Sequence, residues 1–455
     1  MKNLVLEKLR AKHPRFIYET YDIKKKNGNI SIRFLFKTEP KIEFSPRLIV
    51  PNNPQSHHQN LETFVFNLGL VEAISYWKAT CSPELVIKAG KLTDEQKNWW
   101  RTLFINGLGE FFYKNSIDFS SDNFLSIRST GQKGHKKMQP FSLSGDLILA
   151  SGGKDSALTL ELLKKSKQKK KIFLLNPSKA AIEIVKMAGY ENPLIAKREI
   201  DAKLLELNSK GYLNGHTPFS AYLAFLGSYV AFLHHLQNVI VSNERSADEG
   251  NIYFHHRQIN HQYSKSYGFE KLFREYSSRY LTSNIKYFSF LRPLYDLRIS
   301  ELFAKYPQYL KAFKSCNVGQ KADSWCGKCA KCAFSYLSLA PFIPHKKMVE
   351  IFGSDYFKNK NLASQFHNLV GFGKYKPFDC VGTIDESRLS IALTIERYKK
   401  DNVFVPKILL DIKKKLTIAS KMDIRILKEK VLGKWSSKNF LPKEHAALLK
   451  KAIQK

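Results

Sequence analysis

Three groups of residues in this 455-residue chain combine types and spacings that could do chemistry. The first is Ser151-Gly152-Gly153-Lys154-Asp155-Ser156. It follows the apolar run Leu147, Ile148, Leu149 and precedes Leu158, Leu162 and Leu163 at helical spacing. The segment therefore reads as a loop from a buried strand into a helix. Small residues let the backbone turn its N–H groups on an anion, and the helix N-terminus adds partial positive charge. A phosphate cradle is the chemistry expected. A Walker A loop is excluded, because there the Lys is followed directly by Ser or Thr, whereas Lys154 is followed by Asp155.

The second group holds four of the six cysteines, Cys316, Cys326, Cys329 and Cys332, spaced Cys-x9-Cys-x2-Cys-x2-Cys with Gly327 free to make a tight turn. Closely spaced soft thiolates can close round one ion. Four sulfur ligands suit a structural Zn²⁺ with no open position for substrate. An iron–sulfur cluster is the alternative that the Cys-x2-Cys-x2-Cys part also allows, while a reducing compartment disfavours disulfides.

The third group is Glu244, Arg245, Asp248 and Glu249, a dense polar cluster after the strand-like run 238–244. It suits a metal, a substrate ammonium or proton transfer, and an ordinary capping and salt-bridge loop is the plainer alternative. For proton transfer the candidates are His216, Glu244, His261 and Cys380. Singly, such histidines and cysteines are more often structural.

The elements that must position these groups are legible in outline. Strand-like runs at 147–150, 171–175 and 238–244 alternate with helical patterns, which predicts an α/β fold with a Rossmann-like, doubly wound parallel sheet. Asn176, Ser242, Asn243 and Glu244 then fall at strand carboxyl ends beside the loop. Earlier, residues 16 to 36 read as a hairpin turning at Asn27-Gly28, a helix spans about Leu61 to Trp77, and Thr93 with Gln96 forms a capping box. Residues 1–140 are expected to form an accessory α+β domain, 141–345 the nucleotide-binding domain with the cysteines, and 346–455 a mainly helical region.

Composition sets the bounds. A chain with 43% hydrophobic and 13% aromatic residues is a globular enzyme in type, and it has no apolar run long enough to span a bilayer. The first residues lack the apolar core and cleavage site of a secretory signal, so the cytoplasm is expected. Lys and Arg outnumber Asp and Glu by 74 to 40, a net charge of +34. This admits a polyanionic partner such as nucleic acid, but lysine runs such as 169–171 and 413–415 are ordinary solvated faces, and no interleaved aromatics favour RNA.

The loop Ser151–Ser156 resembles the PP-loop of N-type ATP pyrophosphatases, which holds the pyrophosphate of ATP and cleaves between the α and β phosphates. With the cysteine spacing downstream, the pattern is similar to 7-cyano-7-deazaguanine synthases. Three more stretches, Asn106 to Phe112, Ser242 to Asn251 and Trp325 to Phe334, together with Lys376 to Thr383, resemble a further PP-loop family. This is the family of ATP-dependent epimerases acting on UDP-N-acetylmuramoyl-L-alanyl-L-glutamate, a precursor of peptidoglycan. The resemblance implies ATP with Mg²⁺, adenylation of the terminal L-Glu carboxylate, and epimerisation of the neutral acyl group. Ser151, Gly152, Gly153, Asp155 and Ser156 would bind pyrophosphate, with Asn176 near the nucleotide. Lys154 would neutralise charge or face solvent, and Asp155 would help with Mg²⁺. RNA modification is the runner-up, weakened because only Cys81 and Cys380 remain for sulfur chemistry. A noncatalytic nucleotide-binding or nucleic-acid-binding protein is the third reading.

Overall fold

In the computed structural model, which describes residues 3–54, 61–138, 142–319, 322–419 and 423–454, the frame is one eleven-stranded, mostly parallel sheet. Strands β1 (Arg15–Lys26) and β2 (Asn29–Thr38) make the expected hairpin, with Asn27 at φ 50° and Gly28 at φ 70°. Paired positive φ values match the twist of a tight hairpin. β3 (Ile42–Phe44) and β4 (Arg47–Pro51) pair with β2, while β5 (Glu84–Ile87) and β6 (Ser126–Ser129) extend the other side in parallel.

The remaining strands of the sheet are β7 (Asp146–Leu149), β8 (Lys170–Leu175), β9 (Leu194–Glu199), β10 (Asn238–Val241) and, after a ribbon of β11 (Ile252–Phe254) and β12 (Arg257–Ile259), β13 (Lys286–Ser289). They lie in the order β13-β10-β7-β8-β9, all parallel. The chain thus winds outward one way from β7 and then the other way from β10. Between these two neighbours the loops diverge, and a crevice opens at their carboxyl ends. Antiparallel pairing of β4 with β9 joins the N-terminal strands to this set in one continuous sheet. The expected domain boundary near 140 falls at residues 139–141, outside the described residues.

Two helices that are apolar on nearly every face, Glu62–Trp77 and Phe219–Leu233, pack together in the core, as helices with no polar face must. The helix Asp94–Gly107 begins at the reciprocal Thr93–Gln96 box read from sequence. After residue 345 the chain is mainly helical. Its last helix, Lys443–Gln454, docks beneath the sheet, where the buried His445 lies 3.2 Å from the carboxylate of Asp146 at the start of β7. Strands β9 (LIAKRE) and β13 (KYFS) carry no long apolar run, so sequence reading passes over both. No helix among the described residues is long and apolar enough to cross a membrane.

Candidate active site

The crevice holds a cavity of about 460 Å³, and three walls of different origin face it. The first is the small-residue loop. Gly153 caps the ten-residue helix Lys154–Leu163 without a side chain, which leaves the first-turn N–H groups uncapped beside the cavity. The Ser151 N–H donates to Ser156 Oγ at 2.9 Å, and the two hydroxyls lie 3.1 Å apart, so Ser156 folds the loop back over its helix. At Gly152 a Cβ would stand 2.9 Å from that of Ala180 and 3.2 Å from Ser178 Oγ. Only glycine lets the loop pack on the next strand-to-helix turn.

Within this loop Lys154 and Asp155 part company. Lys154 is buried, and its Nζ donates to Asp155 at 2.6 Å and to Asp296 at 2.9 Å. It faces neither solvent nor the cavity and serves as an internal counter-ion. Asp155 lines the cavity. Burial works to raise its carboxyl, but Lys154, with Lys331 and Lys265 beyond, holds it below the ordinary carboxylate value. Asp296 shifts the other way, raised by burial and by Asp155, Glu244 and Glu386 despite Lys154. One lysine between two carboxylates keeps the cavity-facing one ionised.

The second wall is the carboxyl end of β10, where Ser242, Asn243 and Glu244 all line the cavity. A fully buried Arg292 organises it. Arg292 pairs with Glu270 at 3.1 Å, donates to the Glu244 carbonyl at 2.6 Å and donates to the carbonyl of Lys265. Two cavity residues are thereby fixed by one guanidinium, whose rigid fork suits such multiple bonding.

The third wall is the segment from Lys376 to Thr383, which brings in Cys380. Asn251 donates its side-chain amide to the carbonyls of Lys376 (3.2 Å) and Pro377 (2.7 Å), and Glu249 pairs with Lys376 at 3.2 Å and accepts the Ile384 N–H at 3.0 Å. A capping box of Thr383 and Glu386 starts the helix Ile384–Lys400 directly behind. Held in this way, Cys380 Sγ sits 3.3 Å from Lys265 Nζ and 3.8 Å from His261 Nε2. On its other side His261 Nδ1 is hydrogen-bonded to Glu110, which also pairs with Lys114 and lies 3.5 Å from His216.

The charges in this chain of groups are strongly biased. Burial alone would raise the Cys380 thiol, yet Lys265, Lys331 and His261 lower it to about 6. His261 is opposed by burial but raised to about 9 by Cys380 and Glu110, and Glu110, despite burial, falls to about 2 beside His261, Lys114 and His216. His216 is pressed down to about 3 by burial and by neighbouring His261. At neutral pH the arrangement is a thiolate beside an imidazolium, with a neutral imidazole next to them.

Not every residue singled out from sequence reaches the cavity. Asn176 spends both ends of its amide on the backbone of Arg198, at 2.8 Å each. Arg245 stacks on Tyr295, and Asp248 accepts the Tyr267 N–H at 2.7 Å. Asp248 and Glu249 therefore hold backbone in place, away from the cavity lining. Conversely, Lys265, Arg292 and Asp296 escape sequence reading, and Glu110 falls in the stretch Asn106 to Phe112 with no role assigned to it. A signal existed for Glu110, a lone charge inside the apolar run Leu108 to Phe112, since buried charges are rarely without partners. Lys265 and Arg292 carry none.

The cysteines converge beside the cavity. The sulfurs of Cys316, Cys326, Cys329 and Cys332 all lie within 4.8 Å of one another, with Cys316 and Cys329 4.0 Å apart and Cys326 and Cys332 3.7 Å apart. A tetrahedron of thiolates about 2.3 Å from one ion has edges of about 3.8 Å. Gly327 takes φ +63° in the turn, and backbone N–H groups of Gly319 and Cys332 point at Cys316 and Cys329. The group can hold a metal ion.

A family model, the MurL N-terminal domain, matches residues 7–290, and a second, the MurL C-terminal domain, matches residues 311–422. The chain belongs to the MurL family. Three relatives bear the name UDP-N-acetyl-alpha-D-muramoyl-L-alanyl-L-glutamate epimerase. The one from Micromonospora sp. is 32% identical over 353 residues, covering 76% of this chain and 77% of its own. That from Xanthomonas oryzae pv. oryzae is 31% identical over 364 residues (77% and 78%), and that from Salinispora tropica is 33% identical over 338 residues (72% of each). No solved structure matches the chain. In this MurL family member, two of the three cavity walls come from the region matched by the N-terminal model. The third, with the cysteines, comes from the C-terminal one.

Proposed function

We propose that this protein converts the terminal L-Glu of UDP-N-acetylmuramoyl-L-alanyl-L-glutamate to D-Glu in peptidoglycan precursor synthesis, activating a glutamate carboxylate with ATP and releasing AMP and pyrophosphate. The observation that carries the reading is that one cavity is lined by Ser151, Asp155 and Ser156 on one side and by Glu244, His261 and Cys380 on the others. A phosphate cradle and proton-transfer groups then serve one substrate. An α-proton beside an ionised carboxylate resists removal, because the carbanion forms against a negative charge. Adenylation neutralises the carboxylate and lets the developing charge delocalise as an enolate.

In this reading the loop is a PP-loop, and the β13-β10-β7-β8-β9 set is its Rossmann-like nucleotide fold. Ser151, the uncapped N–H groups after Gly153, and Ser156 bind pyrophosphate oxygens. Asp155, kept ionised and open to the cavity, is the carboxylate able to hold Mg²⁺, which would offset phosphate charge. The tetracysteine group holds Zn²⁺ in a structural role.

The test incubates the protein with ATP, Mg²⁺ and the UDP-linked dipeptide, measuring pyrophosphate, AMP and glutamate chirality after hydrolysis. AMP together with D-Glu is the expected result, and Asp155→Ala should abolish pyrophosphate release while retaining zinc. AMP formed only when tRNA is supplied would move the function to RNA modification. ATP binding with no AMP under any condition would leave a nucleotide-binding protein.

A further inference from the structure

Adenylation alone does not say which group takes the α-proton. The geometry points to Cys380 as that proton acceptor, with Glu110 and His261 behind it as a positioning relay, an inference that rests on the epimerase reading. Cys380 shares the cavity with the phosphate loop, and its Sγ contacts His261 Nε2 at 3.8 Å and Lys265 Nζ at 3.3 Å. Its backbone is pinned on both sides, by Lys331 donating to the Cys380 carbonyl at 2.6 Å and Gln262 to that of Val381 at 3.1 Å. Behind it the order carboxylate, imidazole, thiol repeats the general arrangement of an orienting acid, a base and an activated sulfur. Glu110, His216 and His261 could also surround a cation. Yet His261 already turns Nδ1 to Glu110 and Nε2 to Cys380, so both nitrogens are committed to the relay.

In the proposed step the Cα–H bond breaks and an S–H bond forms at Cys380. The electron pair passes into the activated carbonyl as an enolate. Water then protonates the opposite face as the carbonyl reforms. The thiol proton then returns through solvent to the hydroxide left behind, regenerating water and the thiolate, so no proton is gained or lost. Lys265 stabilises the thiolate before the transfer, and Glu110 keeps His261 cationic and correctly turned.

The inference is tested in D₂O with ATP, Mg²⁺ and the UDP-linked dipeptide, following pyrophosphate release and deuterium at the glutamate Cα separately. In Cys380→Ala, Cα exchange should fall by roughly 10² to 10⁴-fold, far more than pyrophosphate release falls. Glu110→Gln should lower exchange and move the alkaline limb of its pH profile downward, because His261 loses the anion that keeps it protonated. The charged or titratable groups facing this set are Lys265 and Lys331 at Cys380, His216 at His261, and Lys114 at Glu110. Unaltered exchange in Cys380→Ala, or an equal fall in both readouts, would overturn the inference while leaving adenylation standing. An acyl group trapped on Cys380 by acid quench would overturn it too, making the thiolate a nucleophile. No pyrophosphate from the unsubstituted protein would instead sink the adenylation reading and this inference with it.

Discussion

The tetracysteine group and Cys380 are two thiol environments in one region of the molecule, and they differ in what surrounds the sulfur. In the tetrad each sulfur has three others within 4.8 Å, so four thiolates there would repel one another unless a shared cation held them. Around Cys380 the neighbours are already cationic or hydrogen-bonding, namely Lys265, His261 and the nearby Lys331. Sulfurs gathered this closely can hold a metal ion. Opposite-charged neighbours make a stable free thiolate. Cys81 gives the third case, buried with its thiol pushed far up and therefore inert.

The largest expected effect breaks the first environment. Cys332→Ser removes a fully buried member of the tetrad at the start of the helix Ala330–Leu339, and should cost on the order of 4 to 5 kcal/mol of stability, in the range reached when a metal is lost. Metal analysis should find one zinc per chain in the unsubstituted protein and almost none in the variant. Cys380→Ser should retain zinc, and loss of zinc there would erase the distinction between the sites.

Next comes the support of the second environment. Arg292→Met strands the buried Glu270 without its cation and should cost about 3 to 5 kcal/mol by urea unfolding. A change below about 1 kcal/mol would mean that Lys265 and Glu244 do not depend on it. A smaller and more specific effect is the pH dependence of alkylation. With the Cys380 thiol lowered to about 6, its iodoacetamide reactivity should rise as pH passes about 6 and flatten above, while Cys81 stays protected. Lys265→Met removes the nearest positive charge and should move that midpoint upward, every tenfold loss in the thiol's ionisation constant being worth about 1.4 kcal/mol. A midpoint in the ordinary thiol range without substitution would show that the cations fail to stabilise Cys380. The smallest effect is at the cap behind Cys380, where Thr383→Ala should cost about 1 kcal/mol by thermal unfolding.

How much of this was legible varies with how local the signal is. The Asn27-Gly28 hairpin, the Thr93–Gln96 box and the loop after β7 were all readable, because each depends on residues within a few positions. Strand β9 was not, since LIAKRE owes its place to β8 on one side and β4 on the other. In the polar stretch 244–249, only Glu244 lines the cavity. Asp248 and Glu249 share its composition, but the carbonyl of Glu244 is fixed by Arg292, 48 residues further on.

By itself the sequence determined the chemistry available: a small-residue loop before a helix, four thiols at ligand spacing, and scattered acids and histidines. These are properties of residue type and short spacing, which the chain carries into any fold. Only the tertiary structure decided which of them act together. It turned Lys154 inward between two aspartates, spent Asn176 on a backbone, and drew Glu110, His261 and Cys380 into contact across 270 residues of chain. The physical reason is that charge on a buried thiol or imidazole is set by partners a few ångströms away, and those partners are chosen by sheet order and helix packing.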